Sequence, residues 1–187
     1  MWVLRWVVVV VVVVVAGCGG DGGGSGGVLG AVRVVEPEPL ELPEYPSDLE
    51  LVDSADNAVR AAEYFIELMN YTQSTGDVGP YEEVAASGCG PCEGFVEAIE
   101  ELYGPGGFLV GTAIELTNIT AKRSIDGLAW EVTADFHFGD GLRYRGSERG
   151  GAEYVEGATF PGLRIGAYLQ DGQWWMLVLI KARKGES

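Results

Sequence analysis

Two thiols set two residues apart, in Cys89-Gly-Pro-Cys92, are the densest group of reactive atoms in the chain. Dithiol exchange needs this spacing, because the second thiolate must reach the mixed disulfide formed by the first. Pro91 and a helix starting there would set the first sulfur at a positive helix end and lower its pKa. Glu82, Glu83, Glu93 and Glu97 nearby oppose a thiolate. His137 is the single histidine, and alternation along residues 128–138 places it on one strand face with Asp135 and Glu131. In a pocket, an imidazole beside a carboxylate does acid–base work; on an open sheet face it is solvated surface. Trp130 and Trp174, with Tyr168 and Trp175, offer either an aromatic wall for a ligand or core filling. Trp130, Asp135, His137 and Trp174 are therefore the pocket residues to be sought. Arg143, Arg145 and Arg149 lie close together, with intramolecular salt bridges as their default role. One histidine with scattered carboxylates is too little for zinc, so neither metal nor cofactor is expected.

The amino-terminal segment carries a different chemistry. A head with Arg5 precedes an almost unbroken valine run, Val7 through Val15, and then Val15-Ala16-Gly17-Cys18. A basic head, an apolar run and small exit residues are the parts of a secretory signal. The exit resembles the lipobox of bacterial lipoproteins. The resemblance implies removal of residues 1–17 and a diacylglycerol on Cys18, hence a protein anchored by lipid on the extracytoplasmic face of the cell membrane. As an uncleaved helix, residues 2–17 would span about 24 Å, short of the ~30 Å hydrocarbon core. The glycines that follow prevent its extension. With lipid on Cys18, Cys89 and Cys92 are left to pair with each other, which an oxidising compartment permits. Such a bond would pin a loop to a helix and contribute about 2 kcal/mol. The same Cys-Gly-Pro-Cys is identical to the dithiol of thioredoxin-like proteins, a resemblance that implies an exchange enzyme with Cys89 as nucleophile and Cys92 as resolver. The preceding residue here is Gly88 instead of the usual Trp. Tyr81 to Gly88 reads as turn or helix, not as the strand of a βαβ unit.

Charge excludes one class of partner. Of 187 residues, 28 are Asp or Glu and 12 are Lys or Arg, a net of −16. Between residues 36 and 101 the basic residue is Arg60 alone, whereas residues 102–187 are nearly balanced. A nucleic-acid partner would need a basic face. Membrane attachment would then rest on lipid, with a small ligand or another envelope protein as the partner of the folded part.

Three segments follow from composition: a signal at 1–17, a Gly/Pro-rich acidic tether at 18–50, and one domain at 51–187. Pro37, Pro39, Pro43 and Pro46 stiffen the end of the tether. In the domain, Ala58, Val59, Ala62, Phe65, Ile66 and Met69 fall at helical spacing, with Asp53 or Ser54 as cap and Gly76 as stop. A second helix runs from the cysteine pair to Tyr103, with Phe95, Val96, Ile99 and Leu102 as its apolar positions. Beyond Gly104-Pro105-Gly106-Gly107 the period changes to two. Strands are expected at 108–120, 128–138, 142–146, 163–169 and 173–182, with 150–160 open. The last is apolar on both faces and so central or covered. Helices first and a meander of strands afterwards predict an α+β fold: N-terminal helices packed on a curved antiparallel sheet of four to five strands.

The segment Ala61 to Tyr71, followed by Thr75-Gly-Asp77 and the cysteine pair, resembles a family of uncharacterised actinobacterial lipoproteins known only as a domain of unknown function. The likeness runs from the lipobox through Cys92 and more loosely to Trp174. The element order is similar to the nuclear-transport-factor-like cone fold, which serves enzymes, ligand carriers and inert modules alike. The leading expectation is a non-catalytic binding or interaction module. Thiol–disulfide exchange at Cys89 and Cys92, or a small-ligand enzyme using His137 and Asp135, are the alternatives.

Overall fold

The structure, a computed structural model, describes residues 40–47, 49, 52–146 and 151–180, the last four of these as backbone. The chain divides into two units, Met1–Glu38 and Pro39–Ser187. The first, with the expected signal peptide and Cys18, lies outside the described residues, as does Arg149.

Helix α1 (Ala55–Thr75) begins at Ser54, whose hydroxyl accepts from the Asn57 amide at 3.2 Å, and ends at Gly76 in the left-handed conformation. Gly76 is required for a second reason: a Cβ there would meet the Tyr103 ring at 2.5 Å. A short turn of helix, α2 (Gly79–Glu82), precedes α3 (Gly90–Tyr103). Among the described residues seven strands follow: β1 (Phe108–Val110), β2 (Ile114–Arg123), β3 (Trp130–Phe138), β4 (Gly141–Tyr144), β5 (Ala152–Val155), β6 (Ala158–Gln170) and β7 (Gln173–Ile180). All ladders are antiparallel.

The α+β class stands, but the strands form two sheets, β2-β3-β6-β7 and β1-β4-β5. The two orders correspond, because β1, β4 and β5 each lie just before or after β2, β3 and β6 in the chain. The expected strand at 108–120 is thus two strands. Gly111 has φ +83° and sits where a Cβ would lie 2.8 Å from the Asp140 carbonyl oxygen, so the chain bends at that point. Three strands break at one level, at Gly111–Ala113, Gly139–Asp140 and Glu156–Gly157. The Gly139 amide donates to the Ala113 carbonyl (2.9 Å), and the Gly157 amide to Asp140 Oδ1 (2.7 Å). Periodicity reports faces and not corners, which is why alternation alone reads residues 108–120 as one strand. The sheets do not close into a barrel.

Helix α1 packs along the four-stranded sheet, burying Phe65, Leu68 and Ala62 against Val132, Phe136, Ile165 and Trp174. About 25 cal/mol per Å2 of apolar surface removed from water drives this packing. Asn70 fixes its height. Its side-chain amide donates to the Ile114 carbonyl (2.9 Å) and accepts from the Ile114 amide (2.7 Å), as a neighbouring strand would. Strand β7 stands last in its sheet, so it is covered instead of central. Residues Val84–Ala86 pair with it through Met176 N to Val84 O (3.0 Å) and Ala86 N to Met176 O (2.8 Å), closing an edge that would otherwise invite a second chain.

Residues at the end of the expected tether pack onto this domain. Leu49 is fully buried and its carbonyl accepts the Trp174 indole N–H at 2.9 Å, and Tyr45 meets Tyr64 edge to face. The stiff Pro-rich composition set these residues apart, whereas the aromatic and aliphatic side chains within it find apolar partners that only the folded sheet supplies.

Candidate functional site

The cysteine pair sits at the start of α3, with Cys89 as the N-cap residue and Pro91 in the first turn. Cys89 and Cys92 are joined by a disulfide, their Cα atoms 5.2 Å apart. Both are buried, at 3% and 2% exposure, and belong to the main core cluster. The Cys89 amide donates to Ala86 O (3.1 Å), so the staple lies directly beside the segment that closes the β7 edge. An attacking thiolate has no open path to sulfur in this arrangement, since exchange requires access as well as thiolate character.

The structure places Trp130 and Trp174 against the core and Asp135 and His137 on the other face of the sheet. Strand β3 turns Trp130, Val132, Ala134 and Phe136 toward α1, and Glu131, Thr133, Asp135 and His137 the other way. His137 is held between two hydroxyls, with Nε2 2.7 Å from Thr117 Oγ1 and Nδ1 3.0 Å from Thr159 Oγ1. Asp135 accepts from Asn118 Nδ2 (2.7 Å) and from the Gly162 amide (2.8 Å), and these bonds hold its carboxyl below the usual carboxylate range. Both residues serve the outer ladder and line neither hollow described below. Trp174 is fully buried. Trp130 is at the opposite end of β3 from His137, where its indole N–H donates to Asp53 Oδ1 (2.6 Å) and the Arg123 guanidinium lies 4.3 Å from its ring centroid. Arg123 also pairs with Asp53. Asp53 therefore does not cap α1 but ties its start to the β2–β3 hairpin. The Arg123 hydrogen bond, and then that of Trp130, lower its pKa.

Among the described residues, no cluster of three or more His, Cys, Asp or Glu side chains is placed to hold a metal ion. Nor is any helix there long and apolar enough to cross a membrane.

A hollow among the described residues lies elsewhere. A groove of about 830 Å3 runs between α3 and the three-stranded sheet. Its floor is apolar: Phe95, Ile99 and Leu102 from α3 and Leu109 from β1. Arg143 on β4 and Arg145 just past its end, two residues apart, form its far wall with Gly146. Gln73 and Glu101 complete the helical side. Arg145 binds Glu153 Oε2 through Nε (3.2 Å) and Nη2 (3.0 Å), and Arg143 Nη1 lies 3.7 Å from the same oxygen. The sequence signals were present but pointed elsewhere. The α3 positions have the spacing of a core face, and the arginines that of a salt-bridged surface. The strand breaks at Gly111–Ala113 and Gly139–Asp140 bring the two together. A second hollow of about 630 Å3, between Tyr45, Tyr64, Glu83 and the β6–β7 turn, is acidic at its rim through Glu83 and Asp171.

These features define an α+β domain with helices on a bent antiparallel sheet and an apolar groove walled by arginines. The chain belongs to a family of unknown function, DUF6318, which it matches over residues 43–179. No curated protein matches it. Among solved structures, it is similar to the intermembrane space region of the chloroplast protein ARC6. The identity is 12%, the TM-score 0.50, and the alignment covers 70% of this chain and 99% of that one. It is also similar to Aln2 from a Streptomyces species, at 12% identity and a TM-score of 0.42 over 69% of this chain and 91% of that one. Such likenesses concern the fold alone.

Proposed function

We propose that this protein is a cell-envelope lipoprotein whose folded domain binds a ligand or partner without transforming it. The carrying observation is the groove between α3 and the three-stranded sheet, a concave surface of mixed apolar and polar side chains with two arginines on one wall and Glu101 on the other. The buried disulfide supports a staple, and the separation of Asp135 and His137 from either hollow supports a binding role over acid–base chemistry. Lipid on Cys18 would hold the domain at the extracytoplasmic face of the membrane. The lipobox-like exit Val15-Ala16-Gly17-Cys18 supports that placement, as does a disulfide suited to an oxidising compartment. The bent sheet cupped against α1 supports kinship with the cone folds that the element order resembles.

The reading is tested by the redox behaviour of the protein in its own membranes. Cys89 and Cys92 should stay oxidised and inaccessible to maleimide unless the chain is unfolded and reduced, with a reduction potential below about −300 mV. Rapid cycling of the pair between thiol and disulfide would move the function to sulfur and overturn the proposal.

A further inference from the structure

We infer that the groove takes a single-chain amphiphile: an apolar tail laid along α3 and an anionic head, carboxylate or phosphate, held by Arg143 and Arg145. The inference rests on the binding role proposed above and names the ligand class of that groove.

Charge complementarity carries it. The described residues before β2 hold many carboxylates, yet two guanidinium groups stand side by side at the end of β4. Among the described residues they share one carboxylate oxygen, Glu153 Oε2; Glu101, on the opposite rim, pairs with neither. Among the described residues, the two planar forks meet no carboxylate but Glu153, and guanidinium donors bind a carboxylate or phosphate with two parallel bonds. Beside them, Phe95, Ile99, Leu102 and Leu109 supply apolar lining. A volume of about 830 Å3 is within the range of small-molecule sites. A peptide would instead seek strand amides to pair with. On β1 the Leu109 amide is already donated to Tyr103 Oη at 3.4 Å, so it is not open to an added strand.

Glu153 supplies the sharpest test, because it competes with the ligand head for both arginines. The full-length chain in membrane vesicles is labelled with a laurate analogue bearing a diazirine at its tail end, and the crosslinked residues are read by mass spectrometry. Label is expected on α3 between Phe95 and Leu102 and on Leu109. Laurate and lauryl phosphate should displace it, and their ranking tells which head is preferred. Lauryl alcohol should displace it at least tenfold more weakly, the expected loss when charged hydrogen bonds to the arginines are absent. Arg143→Gln with Arg145→Gln should cut groove labelling about tenfold, and Arg164→Gln, on β6, should not change it. Glu153→Gln should raise labelling several-fold, a gain that unfolding cannot imitate. Displacement by the alcohol as strong as by laurate would overturn the anionic-head assignment while leaving the groove as a binding site. Label spread over the surface, or unchanged in both the Arg and Glu153 variants, would remove the groove from the binding proposal as well. Lipid incorporation at Cys18 is scored separately, so loss of the tether does not count against the groove.

Discussion

The Tyr81 hydroxyl is fully buried, and among the described residues it has no hydrogen-bond partner. Its ring packs on Phe95 at a centroid distance of 4.9 Å, and burial raises its pKa. A buried hydroxyl without a partner costs about 1–3 kcal/mol relative to its hydrated state. Tyr81→Phe keeps the ring and removes that cost, so its melting temperature should equal or exceed that of the wild type; a clear loss would show that the hydroxyl has a partner. Asp53 is the opposite case. Arg123 and Trp130 favour its charged form, so its folded pKa lies below the unfolded value of about 3.9. A depressed carboxylate pKa adds stability above the unfolded value, which is lost as pH falls through the folded one. Asp53→Asn should therefore melt a few degrees lower at neutral pH, with the gap closing below about pH 4. Melting curves across about pH 2 to 8 check both sign and window.

At the scale of elements, the bend and the staple are the two devices that hold the groove open. Gly111 adopts φ +83° against the Asp140 carbonyl. Gly111→Ala would bring backbone strain and a close contact together, so a loss of about 1–3 kcal/mol is expected in chemical denaturation. The groove walls, β1 and β4, should loosen first, visible as faster amide exchange there than in β2, β3 and β6. The Cys89–Cys92 bond fixes α3 at its start. Replacing both cysteines by serine removes about 2 kcal/mol of loop-closure entropy. A fall of roughly 5–10 °C in melting temperature follows for a domain of this size. An unchanged melting temperature would mean that helix packing alone places α3.

For the whole molecule, a net charge of −16 and the proposed lipid anchor would act together. An acidic surface repels anionic headgroups, so the domain should stand off the bilayer with attachment depending on the acyl chains. Cys18→Ala should abolish incorporation of radiolabelled fatty acid and leave the chain uncleaved. Retained label would transfer the anchor to another residue and defeat the lipobox reading.

Whatever depends on local period or local chemistry was legible in the chain. The helical spacing of Ala58 to Met69, a cap at one of two candidates (Ser54, not Asp53), the stop at Gly76 and the alternation of Trp130 to Phe138 all express contacts within a few residues, and the structure has them there. The proximity of Cys89 and Cys92 is likewise a matter of four residues. The groove depends on partners far apart in sequence. Ile99 reads as one more core position until β1 turns at Gly111 and carries Arg143 across from it. Leu49 reads as tether until Trp174, 125 residues later, offers an indole N–H to its carbonyl. Alternation already sets Trp130 and His137 on opposite faces, but only the fold gives Asp53 as the partner of one and Thr117 and Thr159 as the partners of the other. Side-chain period states which residues share a face. What lies opposite that face is decided by where the sheet bends and which helix end it meets, and those are properties of the closed fold.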